Sequence, residues 1–354
     1  MSMFKWKLFC GDIKMALLNG DHVPENEQVF GEPPNKVREV WGMDQKHVLR
    51  IKKVMYGLLQ APRAWMQKLD SVLQEQGWCR SRLEPCVWRL YDSQDNLTGL
   101  IGYHVDDVLV AGKGEYYQER VELLRKSFPF GSWLSASEQN VTFCGCEVKQ
   151  ETNFDIVVSQ ERYKMGVNEI PLSLERKSST ESAANAEEIK QLRAVLGALS
   201  WRVGASVSVL QGAQSSPTVA SLLTANKLVR TQRAVHDVPI RFCSSIEKPI
   251  LITYTDASWA CRKDGTSQGG QISVIADVSF LEGHRSAFSP VAWQSRKLAR
   301  VARSSTSAEV QMASNATVHH EFLKQILLEW FNKGPVLENS PDQVMKNHAF
   351  HSHS

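Results

Sequence analysis

Apolar positions along this chain recur with two different periods, and the places where one period gives way to the other outline its elements. In residues 62–76, Trp65, Leu69, Val72 and Leu73 recur at helical spacing, the mark of a helix with one buried face. Helices are also expected over 186–203 and over 218–235, where Val219, Leu222, Leu223, Ala225 and Leu228 share a face, and a long one from about Ser305 to Phe331. Short runs rich in β-branched and aromatic residues read instead as strands: Leu100-Ile101-Gly102-Tyr103-His104-Val105, Val108-Leu109-Val110-Ala111, Phe143 to Val148, Ile156-Val157-Val158, Ile250 to Asp256, Gln271 to Ile275 and Pro290 to Trp293. No internal repeat organises them, and the mixture predicts an α+β fold.

Breaks in the pattern suggest how the chain is partitioned. The run Lys177-Ser178-Ser179-Thr180-Glu181-Ser182 has no periodic apolar face, so a polar loop or linker is expected over 177–185. A new unit begins near Pro249, with a Gly-rich connection from Gly265 to Gly270. At 354 residues the chain is too long for one ordinary core.

Composition narrows the function classes only partly. With 42% hydrophobic and 22% charged residues the chain reads as globular. It has no long apolar run and its N-terminus has no signal-peptide core, so an intracellular protein of the cytoplasm or nucleus, with no membrane partner, is expected. Seven cysteines include no C-x-x-C pair, and Cys144-Gly145-Cys146 alternates in an expected strand. Reduced core thiols fit that pattern better than disulfides or zinc. A net charge of +3 permits nucleic-acid binding without arguing for it.

The chemistry is carried by carboxylates. Asp106 and Asp107 lie between two strand-like runs, which places them in a two-residue hairpin turn. Such turns favour Asn-Gly or Asp-Gly because both positions must tolerate positive φ. Two carboxylates 4 Å apart repel by roughly 4 kcal/mol at an effective dielectric of about 20. A divalent cation would reverse that cost, and a solvated polar turn would screen it. Asp12 stands where a strand runs into a turn and helix, a place that also suits an N-cap.

Three segments in order, Asp12-Ile13-Lys14-Met15-Ala16-Leu17-Leu18-Asn19-Gly20, the block from Met55 to Trp65 with Gln60-Ala61-Pro62-Arg63-Ala64-Trp65, and Val105-Asp106-Asp107, together resemble the reverse transcriptase of Ty1/copia-type LTR retrotransposons. The resemblance implies a polymerase palm followed by a helical thumb and connection, and RNA-directed DNA synthesis with RNA template, DNA primer and dNTPs as partners. It implies two Mg²⁺ ions, with Mn²⁺ as a substitute. Asp12 and Asp106 would bridge the metals and Asp107 would assist; three aspartates suit a hard cation. Gln60 would contact the incoming nucleotide with Arg63 nearby, although both also fit a helix N-terminus around Pro62. Phe143 to Glu147, including Gly145, would form the hairpin that grips the primer end. His104 stands where the family usually has Tyr. Leu17 stands where it usually has Phe, which implies weaker rejection of ribonucleotides.

A second match lies further on. Tyr254-Thr255-Asp256-Ala257-Ser258-Trp259-Ala260, Val291-Ala292-Trp293-Gln294-Ser295-Arg296-Lys297 and Ser304-Ser305-Thr306-Ser307-Ala308-Glu309 resemble the RNase H domain of the same elements, which acts on RNA–DNA hybrids. Asp256 and Glu309 would be its first two metal ligands, while Thr306 to Glu309 also reads as a capping box. Arg296, Lys297, Arg300 and Arg303 form a basic run suited to a phosphate backbone. The expected organisation is a palm over 1–135 with its fingers largely missing, a thumb and connection over 136–248, a truncated RNase H-like domain over 249–335 and a polar tail over 336–354. Asp342, which follows a proline in a polar context, is the remaining candidate for a third ligand and a poor one, and His348, His351 and His353 read as a frayed tail. The whole looks like a piece of a larger polyprotein, enzymatic by resemblance, with a non-catalytic, nucleic-acid-binding remnant as the other reading.

Overall fold

A computed structural model describes residues 1–20, 28–201, 217–235, 238–262 and 264–331. Asp342, the three tail histidines and the last two positions of the helix expected over 186–203 lie outside the described residues. The chain divides into two compact units. One consists of Met1 and Trp6–Glu138, the other of Ser2–Lys5 and the residues from Gln139 onward.

The first unit contains β1 (Lys7–Ile13), β2 (Val29–Gly31), α1 (Asn35–Trp41), β3 (Leu49–Ile51), α2 (Ala61–Glu75), β4 (Cys79–Arg80), β5 (Val87–Tyr91), β6 (Leu97–His104), β7 (Asp107–Gly112), α3 (Glu115–Ser127) and β8 (Phe130–Ser135). Six strands make one antiparallel sheet in the order β4-β5-β6-β7-β1-β8, and β2 pairs with β3. Pro62 occupies the first turn of α2, where its missing N–H costs nothing. Trp65, Leu69 and Leu73 follow at spacings of four and are buried, so one face of α2 lies on the sheet. Tyr117, Val121 and Leu124 do the same for α3. Both helices share a core with Ile13, Ile101, Tyr103, Val108 and Val110, and each large side chain buried there contributes about 1.5–3 kcal/mol.

The second unit contains β9 (Val141–Phe143), β10 (Cys146–Gln150), β11 (Ile156–Ser159), α4 (Glu161–Gly166), α5 (Leu174–Ser178), α6 (Ala186–Trp201), α7 (Val219–Ala234), β12 (Ile240–Phe242), β13 (Pro249–Ser258), β14 (Gln268–Asp277), β15 (Phe288–Lys297) and α8 (Ser305–Phe331). Its sheets run β12-β11-β10-β9 and β13-β14-β15. Leu251 joins Leu323 and Leu327 of α8 in one cluster, and Ala257 joins Met312 and Ala316 in another. The odd-numbered face of β13 is therefore the helix side.

The polar run near 177–185 is an exposed loop beyond the end of α5, tied at its edges where Arg176 clasps Glu188 with two hydrogen bonds of 2.9 and 2.8 Å and Ala183 bridges to Thr218. Three expectations need correction. Cys144 and Gly145 are not strand residues but the turn between β9 and β10, at φ 50° and 73°. Positive φ at both central positions matches the twist of a tight hairpin. The Gly-rich connection is shorter than expected, since β14 already includes Gly269 and Gly270. None of the seven cysteines is in a disulfide, yet only Cys10 and Cys243 are buried, so most are not core thiols. Among the described residues no helix is long and apolar enough to cross a membrane.

Candidate active site

Two neighbouring strands of the first sheet, β1 and β7, carry Asp12 and Asp107. Asp12 on β1 pairs directly with Asp107 on β7, and Asp107 with His104 on β6. Ile13 donates its N–H to the Asp106 carbonyl at 2.9 Å, so Ile13 and Asp106 are a hydrogen-bonded pair. Asp12 and Asp107 are then the adjacent non-hydrogen-bonded pair, the class with Cα atoms about 4.5 Å apart and side chains on one face. Ile13, Tyr103, Val108 and Val110 point into the helix-covered core. By alternation Asp12, Asp107 and His104 line the opposite face of the sheet, with Asp12 and Asp107 half-buried and His104 exposed.

The register differs from the expected one. The two turn residues are Val105 and Asp106, while Asp107 opens β7. Val105 takes φ 56° and Asp106 does not have positive φ, so the strain falls on a β-branched valine, where it is least tolerated. The carbonyl of that valine accepts a hydrogen bond of 2.6 Å from Nε1 of Trp65. Trp65 is buried in α2 and meets Phe128 edge-on with centroids 5.1 Å apart.

Asp12 is a strand residue rather than an N-cap. Opposite it, the pairing of β1 with β8 slips: Asp12 faces Ser132 and Ile13 faces Phe130, which leaves Gly131 as the extra residue of a β-bulge. A Cβ on Gly131 would lie 2.6 Å from Oδ2 of Asp12 and 3.3 Å from Cγ of Lys14. Glycine leaves the Asp12 carboxylate room to stand there. Leu17 lies in a 3-10 turn (Ala16–Asn19), half-buried against the same core. Gln60 holds the N-cap position of α2 without a side-chain capping bond, so capping does not account for its side chain. Arg63 is exposed in the first turn. Phe143 closes β9 opposite Cys146, and Gly145 lies in the turn between them.

Asp256 lies on β13 and is exposed, while Glu309 is half-buried on α8. The expected capping box is not formed. Ser304 caps α8, taking the N–H of Ser307 at 3.1 Å, whereas Oε1 of Glu309 accepts the N–H of Ala257 at 3.1 Å. Glu309 thus reaches the backbone beside Asp256, although alternation puts the Asp256 side chain on the sheet face away from α8. In the basic run, Lys297 is paired with Asp264 at 2.8 Å, and Arg296, Arg300 and Arg303 are exposed.

Among the described residues, no three His, Cys, Asp or Glu side chains are gathered into a metal-holding group. The donor chemistry at the sheet centre nonetheless suits a hard divalent cation: a cross-strand carboxylate pair and a third carboxylate in the adjoining turn, all oxygen ligands. Sequence reasoning missed two residues here. Trp65 reads as core and as the end of the Met55–Trp65 block, with no role of its own, and Gly131 draws no notice, although a glycine inside a strand pattern is a signal for a bulge or close approach.

Comparison with known proteins adds independent findings. Residues 2–172 match the family described as reverse transcriptase (RNA-dependent DNA polymerase). The chain is 27% identical over 345 residues to the retrovirus-related Pol polyprotein from transposon TNT 1-94 of Nicotiana tabacum, covering 90% of this chain and 24% of that protein. It is 24% identical to the Pol polyprotein from transposon RE1 of Arabidopsis thaliana, covering 92% and 22%. With a transposon Ty5-1 protein of Saccharomyces cerevisiae it is also 24% identical, covering 87% and 99%. The chain therefore spans about a quarter of the two plant polyproteins. Among solved structures, the foamy viral protease-reverse transcriptase in complex with an RNA/DNA hybrid has a TM-score of 0.44 at 10% identity, covering 90% of this chain and 37% of that one.

Proposed function

We propose that the first unit is a polymerase palm that extends a DNA primer on an RNA template, since residues 2–172 match the reverse transcriptase family and the chain aligns with Ty1/copia-type Pol polyproteins over most of its length. The observation that carries this reading is the cross-strand pair of Asp12 and Asp107 with Asp106 in the adjoining turn. Like charges directly opposite each other destabilise a sheet, and a sheet that keeps the Asp12–Asp107 pair gains from a cation. Asp12, Asp106 and Asp107 are the residues that would hold Mg²⁺ or Mn²⁺. Two such ions, when bound, would activate the primer hydroxyl and neutralise the charge on the triphosphate. Gln60, free of capping duty, would touch the incoming nucleotide, and Arg63 would offer its charge to the phosphates. The hairpin of Phe143 and Gly145 would support the primer end.

The second unit, on this reading, includes an RNase H-like region in which Asp256 and Glu309 contribute acidic groups for hybrid cleavage. The boundaries of palm, thumb and RNase H-like region would follow the expected partition at 135 and 248. The test is primer extension on an RNA template by the full chain with Mg²⁺ and dNTPs, compared with Asp106→Ala. Extension by the chain, reduced at least about a hundredfold in the variant, supports the polymerase. Equal, background-level signal from both would leave a fold-retaining remnant that at most binds nucleic acid. Cleavage of a hybrid that survives Asp256→Ala would remove the RNase H assignment.

A further inference from the structure

We infer that Trp65 is a positioning residue for the carboxylate turn, acting through its indole N–H on the Val105 carbonyl. The functional side of this inference rests on the polymerase reading of that turn. The hydrogen bond is short, 2.6 Å, and joins residues forty positions apart. Its donor has little freedom to leave: Trp65 is 2% exposed, and Phe128 packs edge-on against its ring.

The acceptor is the residue that needs holding. Val105 stands at φ 56°, a conformation that a β-branched residue keeps only when its surroundings impose it. Two residues earlier, the Tyr103 hydroxyl donates to Oδ1 of Asp70 at 2.9 Å, so α2 grips the end of β6 at two points about 7 Å apart along the helix. The next residue, Asp106, takes the Ile13 N–H on its carbonyl. A shift of the turn would therefore move Asp106 relative to Asp12. Phenylalanine would supply comparable aromatic packing in the same pocket, but it has no N–H to give.

The experiment compares the full chain with Trp65→Phe and with a form carrying 3-benzothienylalanine at position 65, an isostere in which sulfur replaces the N–H. Amide hydrogen exchange at Ile13 reports the turn directly and requires neither metal nor activity. The expected result is about tenfold faster exchange at Ile13 in both altered proteins, the size of one broken hydrogen bond, with the amides of β4 and β5 unchanged. Primer extension should fall about ten- to a hundredfold in kcat while KM for primer–template is kept. Unchanged Ile13 exchange in the isostere, or uniformly faster exchange across the sheet, would overturn the inference and leave Trp65 a packing residue. A chain that extends no primer refutes the polymerase reading instead, and Ile13 exchange still decides whether Trp65 holds the turn.

Discussion

The Asp12 carboxylate stands where Gly131 offers no side chain, and on the polymerase reading the site requires that open space. Alanine there would put a methyl group 2.6 Å from Oδ2, inside any allowed contact, so Asp12 would have to turn away. Gly131→Ala should lower primer extension about tenfold or more while shifting the melting temperature by only a few degrees; unchanged extension would separate Gly131 from the site. Leu17 makes a different prediction. Half-buried beside Ala16, it offers a smaller surface than phenylalanine, so Leu17→Phe should increase discrimination of dNTP over rNTP in incorporation assays. Equal ratios in the two proteins would end the steric-gate idea. At this scale the sequence is only partly legible. The aspartates declare themselves by type and spacing, but the turn falls one residue earlier than those cues suggest. Aspartate tolerates positive φ better than valine does, and the bond from Trp65 that secures Val105 comes from forty residues away.

At the scale of elements, helices with a strict apolar period are closely legible. The helix expected over 62–76 is Ala61–Glu75, and the long one is Ser305–Phe331. Their caps are harder, because Ser304, Ser305, Thr306 and Ser307 can all cap and local sequence cannot choose among them. The polar stretch before α6 escapes a reading by periodicity because its order comes from ion pairing. Arg176 holds the Glu188 carboxyl down to about 2, from an ordinary value near 4.5. A carboxylate with a depressed pKa stabilises the fold above its unfolded value and loses that contribution as pH falls. The α5–α6 junction should therefore weaken between about pH 4.5 and pH 2. Urea midpoints at pH 5 and pH 3 should fall further in the wild-type chain than in Glu188→Gln, and equal falls would rule out this ion pair as the cause.

Taken whole, the molecule is two units with separate cores, and its mild net charge of +3 hides a local concentration. Arg296, Arg300 and Arg303 are exposed, whereas Lys297 is neutralised by Asp264. Only the three arginines of this run are thus available to phosphates. Replacing them together with alanine should reduce the slope of log affinity against log salt for an RNA–DNA hybrid by up to about 3, close to one for each phosphate no longer neutralised. An unchanged slope would place the hybrid elsewhere. The α+β mixture is legible from alternating periods, but the sheet order β4-β5-β6-β7-β1-β8 is not. Which strands become neighbours depends on long-range pairing that no local run encodes.

Val105 gives the turn one further property. Holding a branched residue at φ 56° costs on the order of 1 kcal/mol, and glycine would remove that cost at the expense of a looser turn. Val105→Gly should raise the melting temperature by a few degrees and slow primer extension, as calorimetry and kinetics on one preparation would record. Selection for heat resistance and selection for turnover would then pull position 105 in opposite directions.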